Sequence, residues 1–223
     1  MSVCITFNDC CSTVYENAYP VMKRHEVLGT FFICGKYVGQ PFDAACICNK
    51  RCRTAISVEQ CHELFRADWE FGSHTYSHVD MGTCDSETRH HEILNNNLWL
   101  HSNGFPTPRG ITYPYGSINH QALEMASSFF AYGRLADVTS KYEGSERMQV
   151  PAMPLNAKTT LADAVKYGIE KGREGLAVFA GHRIAAGTPD TFTWNITDFN
   201  GLLDALKQAG LKFMTMEEAT CRI

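Results

Sequence analysis

The stretch Val3-Cys4-Ile5-Thr6-Phe7-Asn8-Asp9, near the beginning of the chain, decides the fold. Its first five residues are mostly apolar, which is typical of a strand buried on both faces of a parallel sheet. Asn8 and Asp9 follow at the point where that strand ends. In α/β barrels the functional side chains gather at the carboxyl ends of the strands. The stretch therefore predicts a core strand and one part of a functional site.

Short apolar runs alternate with longer segments of helical period along the rest of the chain. This alternation indicates βα units around a parallel sheet. The predicted strands are Cys4–Phe7, Thr30–Ile33, Glu70–Gly72, Gly110–Tyr113, Phe129–Tyr132, Leu176–Ala180 and Leu211–Met214. The predicted helices are Val14–His25, Val58–Ala67, Ser86–Ser102, Gln121–Ser127, Leu161–Lys171 and Asp198–Gln208. We expect a distorted (β/α) barrel of about seven parallel strands, in a single domain spanning residues 1–223.

Composition limits the classes of partner. A chain of 223 residues with 44% hydrophobic and 20% charged residues can bury one sizeable core. The net charge of -4 gives no reason to expect nucleic acid or an anionic membrane as a partner. No apolar run approaches the ~20 residues of a membrane-spanning helix. The first residues do not resemble a signal peptide, so we expect a cytoplasmic protein or a processed or truncated extracellular one. The sequence does not indicate an oligomeric state.

Ten cysteines are many for this length. Cys46, Cys48 and Cys52 are clustered in a segment, residues 35–53, that has no clear period and that we predict to be a long loop. In a secreted protein such cysteines form disulfides, and in the cytosol they remain reduced. Their spacing is a weak metal signature, so a structural role is the preferred interpretation.

Histidines follow two other predicted strands. His74 and His78 lie in Gly72-Ser73-His74-Thr75-Tyr76-Ser77-His78, after the third strand, and His182 follows the late strand in Gly181-His182. Two imidazoles and the carboxylate of Asp9 provide three ligands of the kind found in catalytic zinc sites, with a further position for water or substrate. An isolated pair of histidines at this spacing also occurs in exposed loops. Together with Asp9, however, it predicts a site for zinc or another divalent transition metal.

The order of these segments resembles the polysaccharide deacetylase family, which includes chitin, chitooligosaccharide and peptidoglycan N-acetylglucosamine deacetylases. The resemblance covers nearly the whole chain. The segments that match the family's motifs are Thr6-Phe7-Asn8-Asp9, Ser73-His74-Thr75-Tyr76-Ser77-His78, Thr112-Tyr113-Pro114-Tyr115-Gly116 and Val178-Phe179-Ala180-Gly181-His182.

The resemblance implies a role for each motif and a carbohydrate as substrate. Asp9, His74 and His78 are expected to bind the metal, usually zinc, which polarises the acetamide carbonyl and acidifies the attacking water. His182 is expected to be the general acid that protonates the leaving amine. In the third motif, the main-chain N–H of Tyr115 is expected to contact the oxyanion. The same motif is expected to line the substrate groove through Tyr113, Pro114 and Tyr115.

Two positions depart from the family pattern. The first motif ordinarily has an aspartate general base where this chain has Asn8, and an amide cannot accept a proton near neutral pH. The third motif ordinarily begins with an arginine that pairs with that base, and Thr112 stands there instead. Arg109 lies three residues earlier. The sequence thus predicts that position 8 has neither the carboxylate of the general base nor the arginine that pairs with it. Asp137 is the only candidate for the acidic residue that tunes the histidine.

Three functions are compatible with these residues. The first is a metal-dependent deacetylase of N-acetyl or O-acetyl groups on a polysaccharide or oligosaccharide, with base assistance from His182 or from the metal alone. The second is a catalytically impaired, carbohydrate-binding descendant that retains the metal and the groove. The third is an amidohydrolase of the same fold acting on a small amide or imide. The motifs favour the first.

Overall fold

The structure of the protein, a computed structural model, describes residues 1–40, 54–138, 146–188 and 191–221. Its centre is an eight-stranded parallel sheet. The sheet strands are β1 (Ser2–Asp9), β2 (Gly29–Ile33), β3 (Glu70–Ser73), β4 (Gly110–Thr112), β5 (Tyr132–Arg134), β6 (Met153–Pro154), β7 (Leu176–Gly181) and β10 (Lys212–Phe213). Their order in the sheet is β5-β4-β3-β2-β1-β7-β6, with β10 beside β1. A separate parallel pair consists of β8 (Arg183–Ala185) and β9 (Thr193–Asn195).

Helices connect most of the strands. They are α1 (Tyr19–Arg24), which continues a π-helical turn (Val14–Ala18), α2 (Val58–Arg66), α3 (Ser86–Ser102), α4 (His120–Phe129), α5 (Leu161–Glu174), α6 (Ile196–Gln208) and α7 (Met216–Thr220). Several begin at a side chain that accepts a main-chain N–H of the first turn, such as Ser57 before α2 and Thr160 before α5. No helix within the described residues is both long and apolar enough to cross a membrane.

The sheet curls into a distorted barrel. Val150 pairs with β5, since its N–H donates to Gly133 O at 2.9 Å and its carbonyl accepts from Leu135 N at 2.9 Å. A few residues later, Met153–Pro154 pairs with β7. One segment therefore joins the two ends of the sheet, and this confirms the predicted barrel-like fold of parallel strands.

Alternation along β1 separates two apolar layers. Val3, Ile5 and Phe7 pack against the helices outside the sheet. Cys4 points the other way, into a cluster with Phe32 and Tyr132 that fills the barrel interior. The side chain of Asn8 lies on the same face of β1 as that of Cys4, because the two residues are an even number of positions apart. Asn8 also pairs in register with Phe32. Asn8 therefore lies at the top of the interior.

One predicted strand is wrong. Phe129–Tyr132 was expected to be a strand, but α4 continues through Phe129 and β5 begins only at Tyr132. The two phenylalanines suggested β structure, yet Phe130 N donates to Ala126 O at 2.9 Å and extends the helical pattern. Gly133 lies inside β5. Glycine is required at this position, because a side chain there would collide with the Tyr113 hydroxyl and Met148 O.

The cysteines divide into two groups. Cys4, Cys10, Cys34, Cys61, Cys84 and Cys221 are free. Cys11 is disulfide-bonded. The predicted loop begins with a 3-10 turn at Gly35–Tyr37. Its cysteine cluster, Cys46, Cys48 and Cys52, also lies outside the described residues.

Candidate functional site

The strand registers bring the motifs to one rim of the barrel. Asp9 pairs with Ile33, which pairs with Ser73, the residue before His74. On the other side of β1, Phe7 pairs with Gly181, the residue before His182. The carboxyl ends of β1, β3 and β7 therefore stand at one level, where a barrel places its functional side chains.

Asp9, His74 and His78 form a compact buried cluster at that rim. Asp9 Oδ1 lies 3.3 Å from His74 Nε2 and 3.3 Å from His78 Nε2. All three potential ligand atoms lie within 4.8 Å of one another. For a tetrahedral zinc with bonds of ~2.0–2.1 Å, neighbouring ligand atoms are about 3.3–3.4 Å apart. The donor set and the two distances from Asp9 thus fit a transition metal.

The protonation states also suit a metal. Burial would raise the pKa of Asp9, but the adjacent imidazoles of His74 and His78 hold it well below its usual range. Burial lowers the pKa of His74 to about 4, against the opposing effect of Asp9. Near neutral pH the cluster therefore offers a carboxylate and a neutral imidazole, which are the forms that bind metal.

His74 is oriented by Thr112 at the end of β4. His74 Nδ1 lies 2.9 Å from the Thr112 carbonyl oxygen and 2.5 Å from its hydroxyl oxygen. The carbonyl can only accept, so we assign the Nδ1 proton to this contact. Nε2 is then left with its lone pair directed towards Asp9. This is the arrangement by which an outer group fixes the tautomer of a metal-binding histidine.

Helix α3 holds the loop between the two histidines. Glu92 accepts hydrogen bonds from Ser77 N and Ser77 Oγ, both at 2.6 Å. One turn later, the Asn96 amide donates to Ser73 Oγ at 2.8 Å and accepts from Gly35 N at 2.8 Å. These contacts tie the ends of β2 and β3 to a rigid helix, so the histidines do not depend on the loop alone for their position.

Four residues at the site have an unusual backbone conformation. Asp9, Thr75, His78 and Tyr115 all have φ between 60° and 70°, the left-handed region that non-glycine residues rarely adopt. Only two other non-glycine residues of the described chain, Glu26 and Asp68, do so. Conformations of this kind cost ~1–3 kcal/mol each and cluster at functional sites.

His182 faces the same cluster from β7. Its ring lies edge-on to Phe192, with centroids 5.4 Å apart. Burial lowers its pKa, while Asp9 acts in the opposite direction and Arg134 adds to the lowering. A half-buried, neutral imidazole beside the ligand cluster is suited to exchanging a proton with a bound substrate. Asp137, the proposed tuning acid, is not among the main influences on the pKa of His182, and its role remains a prediction.

The third motif presents one exposed side chain. Tyr115 is 66% exposed, and its ring stands edge-on to His78 with centroids 4.5 Å apart. Tyr113 is buried instead and donates its hydroxyl to Met148 O at 2.9 Å. Pro114 is also buried. Of the three predicted groove residues, Tyr115 is therefore the one whose side chain is available to a ligand.

Asn8 has an arginine partner, so the expectation that position 8 lacks one is wrong. The guanidinium of Arg134, at the end of β5, donates through Nη2 to Asn8 Oδ1. The sequence signal for this contact is a charged residue at the carboxyl end of a strand. The predicted strand Phe129–Tyr132 ends before Arg134, whereas β5 extends to it. Arg109 contacts Glu217 instead, at 3.3 Å.

The sequence also does not predict the roles of Glu92 and Asn96, although their spacing puts two polar residues on one helix face.

Comparisons with known proteins identify a family for this chain. The family model described as polysaccharide deacetylase matches residues 1–131. A poly-beta-1,6-N-acetyl-D-glucosamine N-deacetylase from Staphylococcus aureus (strain MRSA252) is 28% identical over 131 residues, which are 55% of this chain and 43% of that protein. The match thus spans less than half the length of that relative.

Solved structures share the fold. The Bc1960 peptidoglycan N-acetylglucosamine deacetylase aligns with a TM-score of 0.67 and 17% identity, covering 98% of this chain and 87% of that one. BA3943, a CE4 family pseudoenzyme from Bacillus anthracis, aligns with a TM-score of 0.66 and 16% identity over 98% of this chain and 65% of that one. A mutant of that pseudoenzyme with restored enzymatic activity has a TM-score of 0.62 and 16% identity, covering 98% and 67%.

Proposed function

The chain belongs to the polysaccharide deacetylase family, and we propose that it is a metal-dependent hydrolase that removes N-acetyl groups from an amino-sugar polymer. The buried cluster of Asp9, His74 and His78 is the observation that supports this function most directly. Its carboxylate and two imidazoles match the three-ligand pattern of catalytic zinc sites. Polymers of β-1,6-linked N-acetylglucosamine are the first substrates to test, because a relative is named for them.

The residues divide the chemistry among them. Asp9, His74 and His78 would hold the metal, and a bound zinc would polarise the acetamide carbonyl and lower the pKa of water. The main-chain N–H of Tyr115 would donate to the oxyanion that develops as water adds to the carbonyl carbon. The exposed Tyr115 ring would border the sugar beside His78.

Proton transfer falls to His182 in this proposal. Asn8 cannot accept a proton, whereas burial keeps His182 neutral and therefore able to take one. His182 would remove the proton of the attacking water and return it to the amine nitrogen as the C–N bond breaks. One imidazole would then act as base and acid in turn, and acetate and a free amine would be the products.

A second candidate is a carbohydrate-binding protein with little turnover. Asn8 supports it, because the amide removes the general base that the family pattern places at this position. A pseudoenzyme of similar fold shows that the fold also occurs without activity. In this case the metal cluster and the Tyr115 surface would bind a glycan without cleaving the acetamide.

Acetate release separates the two candidates. Zinc-loaded protein is incubated with β-1,6- and β-1,4-linked N-acetylglucosamine oligomers and with acetylated xylan, and free acetate is measured. We expect release from at least one N-acetylglucosamine oligomer, abolished by a chelator and by His78→Ala. Glycan binding without acetate release would establish the second candidate and overturn the first. Release from small amides alone would overturn both.

A further inference from the structure

Arg134 is a fully buried cation directed at the site. It is 0% exposed, Nη1 donates to Leu135 O at 2.8 Å, and Nη2 donates to Asn8 Oδ1. Its guanidinium carbon lies 5.5 Å from the centre of the Phe32 ring. Nε has no hydrogen-bond partner, and Arg134 forms no ion pair within the described residues. A buried guanidinium is costly without a carboxylate, so its retention here calls for a role.

The strand register explains how Arg134 reaches position 8. Thr112 and Arg134 are paired across β4 and β5. The family pattern places its arginine at the position of Thr112, but in this chain that side chain contacts His74. The cation therefore comes from the neighbouring strand at the same level of the barrel. Phe32, in register with Asn8, forms the interior surface beneath it.

The contact fixes which way the Asn8 amide faces. A guanidinium has donors only, so the atom facing Arg134 must be the amide oxygen. The Asn8 NH₂ group has no hydrogen-bond partner within the described residues. We propose that Arg134 is the positioning residue of position 8: it holds the Asn8 oxygen towards β5 and leaves the NH₂ group to donate to an oxygen atom of a ligand. An aspartate at position 8 would have the same hydrogen-bond partner, the Arg134 guanidinium.

Only one part of this role rests on the proposed function, namely that a substrate accepts the hydrogen bond from the Asn8 NH₂ group. The pairing itself is measurable on metal-free protein without substrate, so its failure and the failure of the deacetylase proposal are separate outcomes. A purely structural Arg134 would stabilise the protein equally whatever residue occupies position 8. A positioning residue would instead be thermodynamically coupled to that residue.

The test is a double-mutant cycle followed by urea unfolding in the presence of a chelator. The four proteins are wild type, Asn8→Asp, Arg134→Met and the double variant. We expect Arg134→Met to raise the unfolding equilibrium constant at least about tenfold more in the Asn8→Asp background than in wild type, because it strands a buried carboxylate. Arg134→Lys, which keeps the charge, should recover part of that loss. The proposal is overturned if Arg134→Met changes the unfolding equilibrium constant by the same factor, within about twofold, in the wild-type and Asn8→Asp backgrounds.

A second comparison applies if Arg134→Met does not fold. Asn8→Asp and Asn8→Leu both retain Arg134, but leucine removes the acceptor that faces it. We expect Asn8→Leu to raise the unfolding equilibrium constant at least about tenfold more than Asn8→Asp. The same two changes at the exposed Asn95 are the matched control and should differ little. If Asn8→Leu is no worse than Asn8→Asp, Arg134 does not depend on position 8 and the proposal is wrong.

Discussion

Thr112 contacts His74 Nδ1 through two oxygen atoms, its carbonyl at 2.9 Å and its hydroxyl at 2.5 Å. The residue that replaces the family's arginine therefore acts on a histidine of the candidate metal cluster rather than on position 8. Its side chain and main chain together fix the ring so that Nε2 faces Asp9. The first prediction follows from this contact.

Replacing Thr112 by valine should weaken metal binding without abolishing it. Thr112→Val removes the hydroxyl and keeps the carbonyl, so His74 retains one of its two contacts. Loss of an outer partner typically weakens metal affinity ~10–100-fold, and we expect the lower end of that range. The measurement is a zinc competition titration, with the exposed Thr83→Val as control. Equal affinities for Thr112→Val and wild type would show that the hydroxyl does not orient His74.

The metal cluster should fail when either imidazole is removed. We expect wild-type protein reconstituted with zinc to hold about one metal per chain. His74→Ala and His78→Ala each leave two of the three proposed ligands, so each variant should lose that metal. His91, exposed on α3, provides the matched control His91→Ala, which should retain it. Elemental analysis decides the outcome. A full complement of zinc in His78→Ala would exclude the cluster as the metal site.

His182 should matter for turnover and not for metal. An acid–base group typically contributes ~10²–10⁴-fold, and we expect His182→Ala to lower the rate of acetate release by that factor at unchanged zinc content. The exposed His120→Ala is the control. A parallel loss of zinc in His182→Ala would instead make His182 a metal ligand.

The sequence predicted the barrel and the ligand cluster because both follow from local patterns. Asp9, His74 and His78 come directly after apolar runs, and parallel strands bring their carboxyl ends together. The Arg134 contact could not be predicted in the same way. It depends on the exact start of β5 and on which of two adjacent strands supplies a side chain to position 8. The Thr112 contact depends on side-chain direction at the end of β4, which no spacing of residues specifies.

The structure changes one expectation about restoring the general base. The sequence alone predicts that Asn8→Asp raises activity by a small factor. It also predicts that adding Thr112→Arg supplies a missing cation, so that the double variant gains more than the sum of the two single changes. Arg134 already faces position 8. We therefore expect Asn8→Asp alone to suffice. Thr112→Arg should lower activity in either background, because it removes the hydroxyl contact to His74 and adds a second cation near the metal site.

The most direct test of the account is acetate release from an N-acetylglucosamine oligomer by wild type, Asn8→Asp, Thr112→Arg and the double variant at equal zinc occupancy. A carboxylate at position 8 can accept the proton of the attacking water, with Arg134 to orient it. The account predicts that Asn8→Asp is the fastest of the four and that adding Thr112→Arg slows it. Wild type faster than Asn8→Asp would contradict the account, because position 8 would then not be where proton transfer is limited.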